Sequence, residues 1–171
     1  FNQNVTDSIN VSNNSWGVAT EINTLSEASL RATFPLTIPA MRAAQNNGTI
    51  IVFASGNDTQ SQVGMYGGLP FRISELEDEW LVVTSVDSAG TEAYYTNRCG
   101  VSYNFCVTAV GGDLTTAAGG VYGAKTGTND SSTSNYVNLQ GTSMAAPHVS
   151  GLAAALMEKF PSLTAAQIVT R

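Results

Sequence analysis

The sequence predicts an α/β fold built on a mostly parallel sheet flanked by helices. Three observations carry that prediction. Thr49-Ile50-Ile51-Val52-Phe53-Ala54 and Trp80-Leu81-Val82-Val83-Thr84-Ser85-Val86 are continuous apolar, β-rich runs, the pattern of parallel strands buried on both faces. A short helical stretch precedes the first run, which makes a helix–strand unit. A long helix rich in small residues, Met144 to Phe160, lies near the C-terminal end.

Taken in order, Val11 to Gly17 reads as a strand running into a loop. Residues 18–37 are polar, carry Pro35 and show no clean period, so they read as a surface insertion. Pro39 suits the first position of a helix, Ala40 to Gln45 continue it, and Asn46-Asn47-Gly48 end it. The first buried strand follows. Gly64 to Gly68 with Pro70 reads as a loop, and Asp87-Ser88-Ala89-Gly90 ends the second buried strand. Phe105 to Ala109 is a short third strand. Residues 111–135, rich in Gly, Thr and Ser, form an excursion with room for a hairpin, and Tyr136 to Leu139 lead out of it. In the last long helix, Val149, Leu152, Ala153, Leu156, Met157 and Phe160 keep helical spacing and predict one buried face. Ala145, Ala146, Gly151, Ala154 and Ala155 are small enough to let that helix lie deep. Ser162 to Val169 reads as the start of a further helix.

At 171 residues and 43% hydrophobic the chain has the size and apolar content of one globular domain. Only 12% of residues are charged, about half the usual share. Asn, Ser, Thr and Gly supply the polar surface instead, a composition common outside cells. A net charge of −6 with no basic run argues against nucleic-acid binding. No apolar stretch approaches the ~20 residues that span a bilayer. Cys99 and Cys106 are too far apart for a Cys-x-x-Cys redox motif and too few for a zinc site. A local disulfide is preferred over two buried thiols, and a disulfide implies an oxidising compartment.

The most informative stretch is Gly141-Thr142-Ser143-Met144-Ala145-Ala146-Pro147-His148. A serine at the start of a helix presents its hydroxyl beside an N–H that lacks an intrahelical partner. That N–H and the helix dipole favour an anion forming next to the hydroxyl. The alternative is an ordinary Ser/Thr helix cap. An α/β-hydrolase elbow needs glycine two residues past the serine, where this chain has Ala145, and no Ser-x-x-Lys stretch sits at a plausible helix start.

The string resembles the nucleophile motif of the subtilisin-like serine peptidases, the subtilases. Two further blocks stand in the order that family requires: Asn13-Asn14-Ser15-Trp16-Gly17, similar to its substrate-binding strand, and Val52-Phe53-Ala54-Ser55-Gly56-Asn57, similar to the strand that delivers its oxyanion-hole asparagine. The resemblance implies a three-layer fold in which Ser143 is the nucleophile and Asn57 an oxyanion donor. It further implies that Ser15, Trp16 and Gly17 form one wall of the substrate pocket and Ala54, Ser55 and Gly56 the other. Read without it, Asn57 could be a simple Asx turn and Trp16 simple core. Asn97 to Gly100 and Phe105 to Asp113, with the Cys pair, resemble subtilases carried by bacterial autotransporters, with Val110 where those have proline.

The resemblance also implies what these residues lack. The subtilisin triad runs Asp, His, Ser along the chain. The only histidine, His148, is five residues past Ser143, roughly 500° of helical rotation away, and reads as structural. Lys125 and Lys159 lie outside the motif. The expectation is therefore an incomplete catalytic domain over residues 1–171: the C-terminal half, with the Asp and His in an N-terminal half that would be its partner. Its substrate would be an extended peptide or protein, and its location secreted or on the bacterial cell surface. The competing expectation is a non-catalytic interaction module that kept the motif. No cofactor is identified. Asp58, Asp113 and Asp130 sit in polar loops without ligand-series spacing, so calcium, common in this family, has no support in the sequence.

Overall fold

The computed structural model describes residues 1–124 and 135–170; Lys125 and Asp130 lie outside the described residues. Helix α1 (Asn2–Thr6) leads to β1 (Val11–Asn14), then α2 (Glu27–Thr33) and α3 (Thr37–Asn46). Next come β2 (Ile50–Ala54), β3 (Trp80–Val86) and β4 (Cys106–Val110), with short 3-10 turns between them. β5 (Val121–Ala124) and β6 (Tyr136–Leu139) precede α4 (Thr142–Lys159) and α5 (Ala165–Val169). Strands β1 to β4 form one parallel sheet in chain order. β5 and β6 pair antiparallel as a separate hairpin.

The apolar runs fold as parallel strands because both faces of each are buried. Along β2 and β3, alternate residues go to opposite sides. Ile51, Phe53, Trp80 and Val82 join Leu30 of α2 and Ile38 and Met41 of α3. Ile50, Val52, Leu81 and Val83 join Ala145, Ala146 and Ala153 of α4 and Ile168 of α5. The result is helix, sheet, helix, the three layers expected.

Some boundaries differ from the sequence reading. α3 begins at Thr37, which places Pro39 at its third position. The first turn has no intrahelical use for its N–H groups, so a proline is tolerated there as at the first position. Gly48 ends α3 with φ +86°, the left-handed stop that glycine allows. Residues 18–37 are no mere surface insertion. They contain α2, capped where Ser26 Oγ accepts from Ser29 N at 3.1 Å, and they anchor the core through fully buried Ile22 and Leu30. Two apolar anchors in a polar stretch leave no periodic signal. The hairpin in the expected excursion exists, but its second strand is β6, beyond the predicted limit.

α4 also departs from expectation. Its inner face is buried through Ala145, Ala146 and Ala153, yet Leu152 is 61% and Phe160 45% exposed. The apolar stripe is wider than the sheet beneath it.

Candidate active site

The site forms where the C-terminal ends of β1 and β2 meet the N-terminus of α4. Parallel strands all open toward the same edge, and ligands of open α/β sheets bind outside the carboxyl ends of the strands. Gly141 turns the chain into α4 with φ +149°, and Thr142 and Ser143 are its first two residues.

Ser143 is half-buried, and its N–H has no partner among the described residues. Its hydroxyl donates to the Ser15 carbonyl at 3.0 Å. In return, the Ser15 hydroxyl donates to the Ser143 carbonyl at 3.0 Å. Pro147 explains the second bond. It stands four residues past Ser143 and has no N–H, so the Ser143 carbonyl is left without a helical donor, and Ser15 fills the vacancy. Asn13 Nδ2 donates to Ser15 Oγ at 2.9 Å and holds that hydroxyl in place.

Asn57 is fixed by one end of its amide. Its Oδ1 accepts from Thr142 N and from Thr142 Oγ1, both at 2.9 Å. Its Nδ2 has no partner among the described residues. It lies close to the turn into α4, 3.5 Å from where a Cβ on Gly141 would stand. Gly56 N donates to Thr142 Oγ1 at 3.3 Å, so the loop and the helix start are tied twice.

A cavity of about 210 Å³ opens between these groups. Trp16 and Gly17 line one side, Ala54, Ser55 and Gly56 another, and Asn57, Thr142 and Ser143 one end. The residues that the sequence placed in opposite walls are brought together, except that Ser15 pairs with Ser143 and does not line the cavity. Trp16 is half exposed. Its indole meets Phe53 and Tyr66 edge-on, with centroids 5.2 and 4.9 Å away. Tyr66 and Asp58 also line the cavity, and Asp58 is the one charged side chain among the lining residues. Sequence reasoning offered Thr142 only the alternative that it or Ser143 caps the helix, whereas Gly141 is the cap residue, without a side-chain cap bond; Tyr66 and Pro147 were given no role. Pro147 and Thr142 stood inside the motif, whereas nothing local marks Tyr66.

His148 points elsewhere. Its Nδ1 lies 2.9 Å from the Val110 carbonyl at the end of β4, so it ties α4 to the sheet, as its spacing from Ser143 predicts. Below the turn into α4, Gly141 N donates to Gly111 O at 3.0 Å. The buried Tyr95 hydroxyl holds Gly112 O and pairs with Ser85 Oγ, and burial pushes the Tyr95 phenol up from its ordinary pKa. Cys99 and Cys106 are bridged. Among the described residues no group of three or more His, Cys, Asp or Glu side chains is placed to hold a metal ion, and no helix is long and apolar enough to cross a membrane.

Residues 2–170 match the subtilase family. The chain is 36% identical over 133 residues to serotype-specific antigen 1 of Mannheimia haemolytica, covering 77% of this chain and 13% of that protein. It is 33% identical over 138 residues to an extracellular serine protease of Serratia marcescens, covering 75% of this chain and 13% of that protein. Identity is 28% over 131 residues to the autotransporter lipoprotein NalP of Neisseria meningitidis serogroup B, covering 68% and 11%. Among solved structures, the self-cleaved protease domain of PatA superposes with a TM-score of 0.71 at 21% identity, covering 98% of this chain and 54% of that one. At that identity the likeness speaks for the fold alone. The chain spans only 13% of the length of each of the first two relatives.

Proposed function

The chain belongs to the subtilase family, and from that premise we propose that it carries the nucleophile and oxyanion donors of a serine endopeptidase, secreted or held at the bacterial cell surface. The observation that carries the reading is the state of the Asn57 amide. Its oxygen is held by Thr142 N and Oγ1, while its nitrogen and the Ser143 N–H have no partner among the described residues. Asn57 Nδ2 and Ser143 N stand 3.5 and 3.6 Å from where a Cβ on Gly141 would be, and two donors held that close together suit an oxyanion hole.

In this reading the substrate lies extended along Ser15, Trp16 and Gly17 on one side and Ala54, Ser55 and Gly56 on the other, pairing by strand addition. Ser143 Oγ leaves the Ser15 carbonyl and attacks the scissile carbonyl carbon. The carbonyl π pair moves to oxygen, and the resulting oxyanion accepts from Asn57 Nδ2 and Ser143 N. The hydroxyl proton needs a base, because a serine hydroxyl is a weak nucleophile at neutral pH. His148 is engaged with Val110, so the base is assigned to a partner half of the same domain. The exposed apolar residues Leu152 of α4 and Phe160 just after it offer that half a surface to cover. The Cys99–Cys106 bridge and the extracellular and autotransporter relatives support the location.

The test compares the isolated chain with the naturally expressed protein on a chromogenic peptide. The natural protein is expected to turn over, and Ser143→Ala to reduce its kcat by ~10⁶, a magnitude known from subtilisin. The isolated chain is expected to show no enzymatic turnover. Turnover by the isolated chain, abolished by Ser143→Ala, contradicts the need for an outside base. An inactive natural protein favours the non-catalytic reading.

A further inference from the structure

Asn97 lies outside the cavity, carries no role in the reading above, and is fully buried. A side-chain amide has two donor hydrogens and two acceptor lone pairs, and Asn97 uses all of them on one target. Its Oδ1 accepts from Asp58 N at 2.9 Å and Gln60 N at 3.1 Å. Its Nδ2 donates to Ser55 O at 3.3 Å and Gln60 Oε1 at 3.2 Å. Its main chain adds to the clamp: Asn97 N donates to Gly56 O at 3.0 Å, and Ser55 Oγ donates to Asn97 O at 2.9 Å.

Every one of these bonds lands on residues 55–60, the segment that carries Asn57, and none lands on Asn57 itself. The clamp grips Gly56 and Asp58, the residues on either side of it. The glycine at 56 follows from this approach. A Cβ there would stand 2.3 Å from Asn97 Nδ2, and the backbone has φ +113°. The neighbours of Asn97 extend the grip. Arg98 N donates to Gln60 O at 2.9 Å, Val101 N donates to Gln62 Oε1 at 2.8 Å, and the Cys99–Cys106 bridge closes the same short segment.

We infer that Asn97 is a positioning residue for the oxyanion hole: it fixes the backbone on both sides of Asn57, so that Nδ2 meets the oxygen where negative charge develops. The inference rests on the peptidase reading of Ser143 and Asn57. Thr142 orients the side chain of Asn57; Asn97 sets where that side chain begins. An aspartate at 97 keeps the shape and the acceptor but loses both donors, and turns a carboxylate oxygen toward Ser55 O and Gln60 Oε1. The loop must then move, and a misplacement of ~1 Å costs on the order of 100-fold in rate.

The experiment uses the naturally expressed protein with Asn97→Asp, Asn57→Ala and the double variant. Asn97→Asp is expected to lower kcat by ~10-fold or more with KM little changed, since the affected bond forms only in the transition state. Hydrogen exchange at the amides of residues 55–62 is expected to rise. In the Asn57→Ala background the same substitution is expected to change kcat by less than about twofold. Gln60→Ala removes one acceptor of the Asn97 amide and leaves residue 97 itself unchanged, so it reads the same coupling should Asn97→Asp fail to fold. An active protein whose kcat is unchanged by either substitution, or falls equally in both backgrounds, overturns the inference alone. Absence of turnover in the unsubstituted protein overturns the peptidase reading and the inference with it.

Discussion

On one face of the four-stranded sheet, Phe53 and Trp80 stack at 5.2 Å between centroids and pack with Leu30, Ile38 and Met41, all fully or almost fully buried. On the other face the sheet meets Ala145, Ala146 and Ala153 of α4, while Leu152 on the same helix and Phe160 at its end stay exposed. The first face gains its stability from large side chains. The second gives up that gain to bring a helix backbone close to the strands. That closeness sets Gly141, Thr142 and Ser143 against the loop that follows β2, where Asn57 can bind Thr142. The face under α2 and α3 and the face under α4 thus differ in side-chain size, and the α4 side leaves apolar surface over.

Four substitutions break or sharpen this contrast, and denaturant unfolding of the chain measures the first three. Trp80→Ala strikes the large-residue face and is expected to cost ~3–5 kcal/mol. Part of that loss comes from Gly67 O, which accepts from the indole Nε1 at 2.9 Å and would be left buried and unpaired. Ala146→Leu tests the small-residue face from the opposite direction. Ala146 is fully buried, so the larger side chain is expected to cost ~1–3 kcal/mol by overpacking. The same variant in the natural protein is expected to lower activity beyond its loss of stability, because it pushes α4 away from Asn57. Leu152→Gln changes an exposed residue and is expected to stay within ~0.5 kcal/mol. If a partner half covers this face, the same change costs more in the natural protein.

The smallest effect concerns pH. Glu79, the residue before β3, is mostly buried, with Arg42 Nη1 at 3.6 Å. Burial raises its pKa above the ordinary carboxylate value, Arg42 offsets part of the shift, and Asp78 adds to it. The folded state therefore holds this proton more tightly than the unfolded chain does. The contribution to stability is full below the ordinary carboxylate value and is lost as pH rises through the raised one. Glu79→Gln removes that loss. The Tm difference between Glu79→Gln and the unsubstituted chain is expected to increase with pH across that window, and a flat difference contradicts it.

What could be read from the sequence was what short-range pattern encodes. β2 and β3 were legible because β-branched and aromatic runs bounded by turns have few other readings, and the meeting of the Asn57 loop with the start of α4 because each sits in a dense local motif. α2 was not legible, since two buried anchors, Ile22 and Leu30, stand among polar residues. The exposure of Leu152 and Phe160 was hidden because helical spacing reports an apolar stripe but not what lies opposite it. The contacts of Thr142, Tyr66 and Asn97 are with partners far away in the chain: Asn97 meets Asp58 across 39 residues, and Thr142 meets Asn57 across 85. No local pattern carries such pairings.

The central claim is that the helix start on the small-residue face presents Ser143 as the nucleophile. The most direct test treats the naturally expressed protein with a serine-directed fluorophosphonate and maps the adduct by mass spectrometry. A single adduct on Ser143, absent in Ser143→Ala and slowed in Asn57→Ala, is the expected result. An adduct on another serine, or none in a preparation that cleaves peptides, would contradict it.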